Sequence, residues 1–179
     1  LQKMRKLWIL GDKTAEPSNR HYNIVINAMA KSRDGIDARK AYELLLQMQA
    51  SENCQPDIIS YTSLIECFSK SSDPEAADIS MELLQQATDV YEETKNPEMM
   101  PNLRTYTMAI SALSTNPSLD NVLKARELLT QLVELYEETQ DPKLQPSNFP
   151  YNYVMNCAGN CLGSAKDKVK AFVVATKTY

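Results

Sequence analysis

The stretch PDIISYTSLIECFSK, residues 56–70, holds the pattern that decides the fold: a proline, Pro56, is followed five residues later by a tyrosine, Tyr61. The same pair occurs three more times at the same offset, as Pro17 and Tyr22, Pro101 and Tyr106, and Pro146 and Tyr151. Successive tyrosines are 39, 45 and 45 residues apart. Self-similarity at a period of roughly 20–50 residues is typical of stacked-repeat proteins. The sequence therefore predicts a repeat architecture.

The two longer units match each other in detail and differ from the shorter one in their second half. A shift of 45 residues lays residues 91–94 (YEET) onto residues 136–139 (YEET). In all three full units, the small residue that opens the second apolar run lies 19 residues after the tyrosine. The difference between the 45-residue and 39-residue periods therefore lies beyond this point. We expect it to lengthen the second helix of units two and three.

Each unit has the pattern of two amphipathic helices, and no strand pattern competes. Apolar side chains follow Pro56 at helical spacing, while Asp73 and Pro74 are typical of the cap and first turn of the next helix. We expect first helices near 19–32, 57–70, 102–114 and 148–161, and second helices near 36–51, 75–95, 119–140 and 164–178. Such hairpins need three or more neighbours to bury their apolar faces. The predicted fold is an all-α solenoid of stacked antiparallel helix-turn-helix repeats.

The repeat boundaries divide the chain into units of one solenoid domain. We expect the end of a preceding repeat over 1–17, full repeats over 18–56, 57–101 and 102–146, and a truncated fourth repeat over 147–179. The chain opens at Leu1 without an initiator methionine, and its last unit reaches Tyr179 without a closing proline. We therefore expect it to be a trimmed piece of a longer protein.

Composition argues against several classes of protein. Four glycines leave no room for a glycine-rich phosphate loop, and no apolar run approaches the roughly 20 residues of a membrane span. The four cysteines do not form the pattern of a secreted disulfide framework, so a reducing compartment fits them better. A net charge of −4 argues against a uniformly basic nucleic-acid-binding surface.

Several positions recur in register and resemble one known family. Residues 22–26 (YNIVI), 61–65 (YTSLI), 106–110 (YTMAI) and 151–155 (YNYVM), with the closing residues 55–57 (QPD), are similar to the pentatricopeptide repeat. That repeat is an RNA-binding helical hairpin of about 35 residues, and its arrays form right-handed solenoids. The resemblance implies single-stranded RNA as the partner. It also implies a mitochondrial or plastid location and a role in RNA processing, stability or translation.

In this family two side chains for each repeat select one base, and the resemblance assigns them to positions in this chain. They are the residue after each tyrosine and the residue after each closing proline, namely Asn23 with Asp57, Thr62 with Asn102, Thr107 with Ser147, and Asn152 without a partner. The family's pairing rules imply uracil for the first pair, adenine for the second and a purine for the third. The base-flanking residues, two before each tyrosine, are Arg20, Ile59, Arg104 and Phe149.

The residue types leave two interpretations open. Asp57, Asn102 and Ser147 are preferred N-cap residues, so capping alone explains them, and both roles can coexist.

The four first-helix windows (18–33, 57–72, 102–117, 147–162) carry five basic and two acidic side chains, which is +3 there and −7 elsewhere. A mildly basic first-helix layer favours RNA. The acidic, lengthened second helices favour the alternative, an interaction scaffold that contacts protein subunits of a larger ribonucleoprotein or other assembly.

No group of residues has the pattern of an active site, so the sequence predicts neither an enzyme nor a cofactor. Cys157 and Cys161 are one helical turn apart, but no further Cys or His is close in sequence, and two buried thiols fit them better. His21 is the one histidine and cannot form a catalytic triad by itself. The glutamate pairs at 92–93 and 137–138 recur at one repeat position and are typical of a solvated surface.

Overall fold

The computed structural model describes residues 1–12, 15–31, 37–51 and 53–178, apart from the side chains of residues 5 and 8. Over these ranges the chain is mostly helical and contains no strand. The α-helices are α1 (Gln2–Ile9), α2 (Asn19–Lys31), α3 (Ala38–Gln49), α4 (Ile58–Ser69), α5 (Ala76–Thr94), α6 (Leu103–Leu113), α7 (Leu119–Thr139), α8 (Asn148–Gly159) and α9 (Ala165–Thr176). The all-α prediction is confirmed.

The helices are arranged as hairpins in two layers. Each first helix packs against the second helix of its own unit, as α4 does against α5. The first helices α2, α4, α6 and α8 also pack against one another in succession and form a continuous layer. Among the described residues, the second helices make a comparable contact only between α7 and α9. The first helices therefore form the more closely packed of the two layers.

The second helices differ in length as predicted. α5 and α7 have 19 and 21 residues, whereas α3 has 12. Each long helix ends at a residue in the left-handed conformation, Lys95 with φ 51° and Gln140 with φ 53°. A short 3-10 turn follows in both units, and its last residue, Met99 or Leu144, is buried. The 45-residue period therefore extends to the turns that close the units.

The core runs along the stack rather than around one centre. Helix α4 contacts α2, α3, α5 and α6, and nine of its twelve residues are buried. The repeat tyrosines Tyr22, Tyr61 and Tyr106 belong to this core and are at most 8% exposed. Their regular spacing thus reflects packing between helices. None of the helices in the described ranges is long and apolar enough to cross a membrane.

Candidate nucleic-acid interface

The N-terminal ends of α4, α6 and α8 are set by the residues that follow the closing prolines. Asp57 caps α4 by accepting a hydrogen bond from the Ser60 backbone N–H at 2.8 Å. Asn102 caps α6 in the same way, with Arg104 N–H at 2.9 Å and Thr105 N–H at 3.3 Å. Ser147 precedes α8 with extended backbone but makes no side-chain cap hydrogen bond. We call this row of helix ends, together with the residues after the repeat tyrosines, the N-terminal edge.

At the junction of units one and two, the two predicted base-reading residues contact each other directly. The Asn23 side-chain nitrogen donates to both carboxylate oxygens of Asp57, each at 3.0 Å. The Ser60 hydroxyl lies 2.6 Å from the Asn23 side-chain oxygen and 3.0 Å from one Asp57 carboxylate oxygen. Asn23 and Asp57 are both half-buried. Residues 34 positions apart in sequence are thus brought into one polar cluster.

At the second junction the contact is indirect. The hydroxyl oxygens of Thr62 and Thr105 are 2.8 Å apart, and that of Thr105 lies 3.4 Å from the Asn102 side-chain oxygen. Direct base reading requires an accessible side chain, but Thr62 is only 6% exposed. The reason is its position in the stack, because α4 is enclosed by first helices on both sides.

At the third junction Thr107 and Ser147 line one cavity of about 330 Å³. Thr107 is likewise only 6% exposed, and its hydroxyl donates to the Leu103 carbonyl of its own helix at 2.6 Å. The predicted flanking residues Arg104 and Phe149 line the same cavity. All four residues assigned to this junction therefore surround one concave space, which Leu103, Met108 and Tyr153 complete.

The base-flanking residues are far more exposed to solvent than the base-reading threonines Thr62 and Thr107. Ile59 is 58% exposed and Phe149 66%, and both are apolar side chains that nothing in the described stack covers. Arg20 and Arg104 are also exposed. Asn152, on the last unit, is exposed, unlike its counterparts Thr62 and Thr107. The N-terminal edge thus presents aliphatic, aromatic and guanidinium groups, the types that pack against bases.

Part of the positive charge of the first-helix layer is neutralised locally. Glu66 on α4 forms ion pairs with Lys70, at 2.7 Å, and with Arg104 on α6. Burial alone raises the pKa of Glu66, but hydrogen bonds from Lys70 and Arg104 outweigh it and hold the pKa below its usual value. Arg20 and Lys31 remain exposed on α2, and Arg33 lies outside the described residues.

Two residues of this edge were missed by sequence reasoning, Ser60 and Thr105. Each is fully buried and closes a capping box, because its hydroxyl accepts from the N-cap backbone N–H, of Asp57 or of Asn102. The signal was present in the sequence, since an N-cap residue followed three positions later by a polar side chain is the capping-box spacing. In the last unit the same position holds Pro150, which has no hydroxyl.

The remaining candidate residues lie away from the edge. Cys157 and Cys161 are buried free thiols, and the Cys157 thiol donates to the Leu113 carbonyl at 3.6 Å. Burial raises the pKa of Cys157 to about 12. In the described part of the chain, no three His, Cys, Asp or Glu side chains are grouped as metal ligands. The glutamates at 92–93 and 137–138 are exposed on α5 and α7, on the opposite layer, as expected.

Comparison with known proteins agrees with this architecture. A family model described as the pentacotripeptide-repeat region of PRORP matches residues 11–144, which is well over half of the 179-residue chain. Searches of curated proteins and of solved structures found no significant match. The match covers the first two full units and all but the last two residues of the third. The chain therefore belongs to the pentatricopeptide-repeat family.

Proposed function

We propose that the chain binds single-stranded RNA and selects bases at its N-terminal edge. The observation that carries the proposal is the meeting of paired polar side chains at each junction between units. Asn23 contacts Asp57, Thr62 reaches Asn102 through Thr105, and Thr107 shares a cavity with Ser147. One such pair for each repeat is the arrangement by which helical repeats read one base each.

The chemistry of the edge fits this task. Short polar side chains at a helix start offer hydrogen-bond donors and acceptors that match the Watson–Crick edge of a base. The exposed side chains of Ile59 and Phe149 lie beside these pairs and offer faces on which bases stack. Exposed arginines such as Arg20 attract the phosphate backbone. At the third junction both polar side chains line a cavity of about 330 Å³.

The biological setting follows from the family alone. Pentatricopeptide-repeat proteins act on organellar RNA, so we propose a mitochondrial or plastid role in RNA processing, stability or translation. We propose a binding role, with the chemistry of any processing step supplied outside the repeats described above.

Two observations favour a second candidate function, an interaction scaffold in a larger assembly. Thr62 and Thr107 are nearly inaccessible, so two of the four residues that directly follow the repeat tyrosines do not face solvent. Glu66 also forms ion pairs with Lys70 and Arg104, and this reduces the positive charge available to bind phosphate. In that case the acidic second helices would contact protein subunits, and the N-terminal edge would only hold the repeats together.

A base-switch experiment separates the two functions. The double variant Thr62→Asn with Asn102→Asp recreates the pair of unit one in unit two. We expect its preference at one nucleotide to shift from adenine to uracil in competition binding, since a good base contact is worth about 1–3 kcal/mol. Asn and Asp cap helices about equally well, so α6 should persist.

The matched control makes the same two exchanges elsewhere, as Thr88→Asn with Asn96→Asp. Thr88 lies on α5, and Asn96 caps the 3-10 turn after it. We expect this control to keep the adenine preference. An unchanged preference in the edge variant, or no binding of RNA by the chain at low salt, supports the scaffold function instead.

A further inference from the structure

The residue directly before each repeat tyrosine is not one of the two residues assigned to base reading, and its type differs between junctions. It holds Ser60 in unit two, Thr105 in unit three and Pro150 in unit four. Ser60 and Thr105 are fully buried and each lies between the two members of a base-reading pair. Pro150 is also buried but carries no polar group. A buried hydroxyl therefore bridges the first two base-reading pairs, whereas the third pair has no such bridge.

Ser60 fixes which end of the Asn23 amide faces which neighbour. The Asp57 backbone N–H donates to the Ser60 hydroxyl oxygen at 3.2 Å, which leaves the hydroxyl proton free to donate in turn. Its nearest acceptor is the Asn23 side-chain oxygen at 2.6 Å. The Asp57 carboxylate binds the nitrogen end of the same amide at 3.0 Å. A hydroxyl on one end and a carboxylate on the other allow one amide orientation and oppose its flip.

The amide orientation matters because the two ends of an asparagine have opposite hydrogen-bonding character. The nitrogen end carries two donors and the oxygen end two acceptors. Uracil presents an acceptor where cytosine presents an amino donor, as thymine and cytosine do at the same ring position. A flipped amide would therefore exchange the preferred pyrimidine. Discrimination at this junction depends on holding Asn23 in one state.

The second and third junctions differ in whether a hydroxyl bridges the base-reading pair. Thr105 bonds to Thr62, at 2.8 Å, and accepts from the Asn102 backbone N–H at 3.3 Å, so the second pair is bridged like the first. At the third junction Pro150 offers no such bond. There Thr107 donates to the Leu103 carbonyl of its own helix, and Ser147 makes no cap hydrogen bond.

We propose that the residue before each repeat tyrosine is a third specificity-determining position, which orients the base-reading pair through a buried hydroxyl. Ser60 holds Asn23 for one pyrimidine, Thr105 holds Thr62, and Pro150 leaves the Thr107 and Ser147 pair unbridged. Ser60 and Thr105 are positioning residues, since they act through the pair and do not touch the base. The proposal rests on the proposed RNA-binding function.

The test measures the ratio of affinities for RNA oligonucleotides that differ only in uracil or cytosine at the nucleotide assigned to unit one. We expect Ser60→Ala to lower the uracil-to-cytosine ratio about tenfold, the scale of one good base contact. Ser60→Thr keeps the hydroxyl and should retain the ratio. Ser69→Ala removes a hydroxyl at the other end of α4, where it bonds to the Glu66 carbonyl, and should leave this ratio unchanged. Thermal melting of each variant reports separately on the loss of the capping box.

The outcomes distinguish this proposal from the proposed function. Normal RNA binding with an unchanged ratio in Ser60→Ala overturns the orientation role and leaves RNA binding intact. An equal loss in Ser60→Thr also overturns it. If the unaltered chain binds none of the oligonucleotides, both proposals fall. If Ser60→Ala unfolds, the variant Pro150→Thr is used instead. Its new hydroxyl should change the base ratio at the unit-three nucleotide at least about threefold. No change in that ratio overturns the proposal.

Discussion

Arg104 on α6 forms an ion pair with Glu66 on α4, 38 residues earlier in the chain and one unit away in the stack. The same carboxylate binds Lys70, whose ammonium also donates to the Ala30 carbonyl of α2 at 2.8 Å. Three successive first helices are therefore joined through Glu66. The link withholds two positive charges from any polyanion.

Removing the Glu66 charge should strengthen RNA binding. Glu66→Gln keeps the size of the side chain and an acceptor for Lys70 and Arg104, but frees both cations from an ion pair. We expect roughly three- to tenfold tighter binding at low salt, and a steeper fall of affinity with salt by about 0.7 for each new phosphate contact. Fluorescence anisotropy over a salt series measures both quantities. Glu93→Gln, an exposed change on α5, is the charge-matched control; equal effects in the two variants would refute a local role.

Capping should contribute unequally along the N-terminal edge. Asn102→Ala removes two hydrogen bonds to the first turn of α6, and we expect a loss of about 1 kcal/mol in the free energy of unfolding. Ser147→Ala changes the equivalent residue of α8, which makes no side-chain cap bond, and should cost less than about 0.5 kcal/mol. Urea denaturation of both variants checks the difference. Equal losses would mean that the cap geometry does not determine helix stability in this edge.

Two glycines near the last hairpin should respond oppositely to alanine. Gly159 ends α8 in helical conformation, and a Cβ there meets nothing within 4 Å, so Gly159→Ala should stabilise the chain by about 0.5 kcal/mol. Gly163 has φ +135°, and a Cβ would lie 3.1 Å from the Asp167 carboxylate that belongs to the capping box of α9. Gly163→Ala should therefore destabilise it by about 1–3 kcal/mol. Thermal melting gives the sign of each effect, and a stabilised Gly163→Ala variant would contradict the argument.

The buried thiols should make stability fall in alkaline solution. Burial raises the pKa of Cys67 from its usual 9.0 to about 12, and that of Cys157 likewise to about 12. Because the folded-state pKa is the higher one, the stabilisation is complete below pH 9 and is lost as the pH rises from 9 toward 12. We expect the free energy of unfolding to decline over this window, and to decline less in Cys67→Ala.

Alkylation tests the same burial at neutral pH. With a pKa of about 12, roughly one Cys67 thiol in ten thousand is ionised at pH 8, so iodoacetamide should modify it very slowly. Denaturation should restore normal reactivity. Mass spectrometry of the labelled peptides measures the rate, and fast labelling of Cys67 in the folded chain would show that the thiol is accessible.

The sequence alone determined the local and periodic features of this protein. The recurrence of Pro56 and Tyr61 at fixed spacing predicted the stacked units, and apolar periodicity predicted the eight helices of the four units to within two residues at the described ends. The N-cap role of Asp57 and the greater length of α5 and α7 were also readable. These features depend on residues within one helix or one turn, where hydrogen bonding and side-chain spacing act over a few positions.

Only the tertiary structure decided which candidate residues are open to solvent and which are held by a neighbour. Thr62 and Asn152 occupy the same repeat position, yet one is buried and the other exposed. The sequence around each looks alike, and the difference is that α4 lies between two first helices whereas α8 adjoins only α6 in that layer of the described stack. The bridge from Ser60 to Asn23 and the ion pair of Glu66 with Arg104 likewise join residues 37 and 38 positions apart. Such contacts depend on how successive units pack, because a side chain's exposure and partners are set by the helices on either side of it.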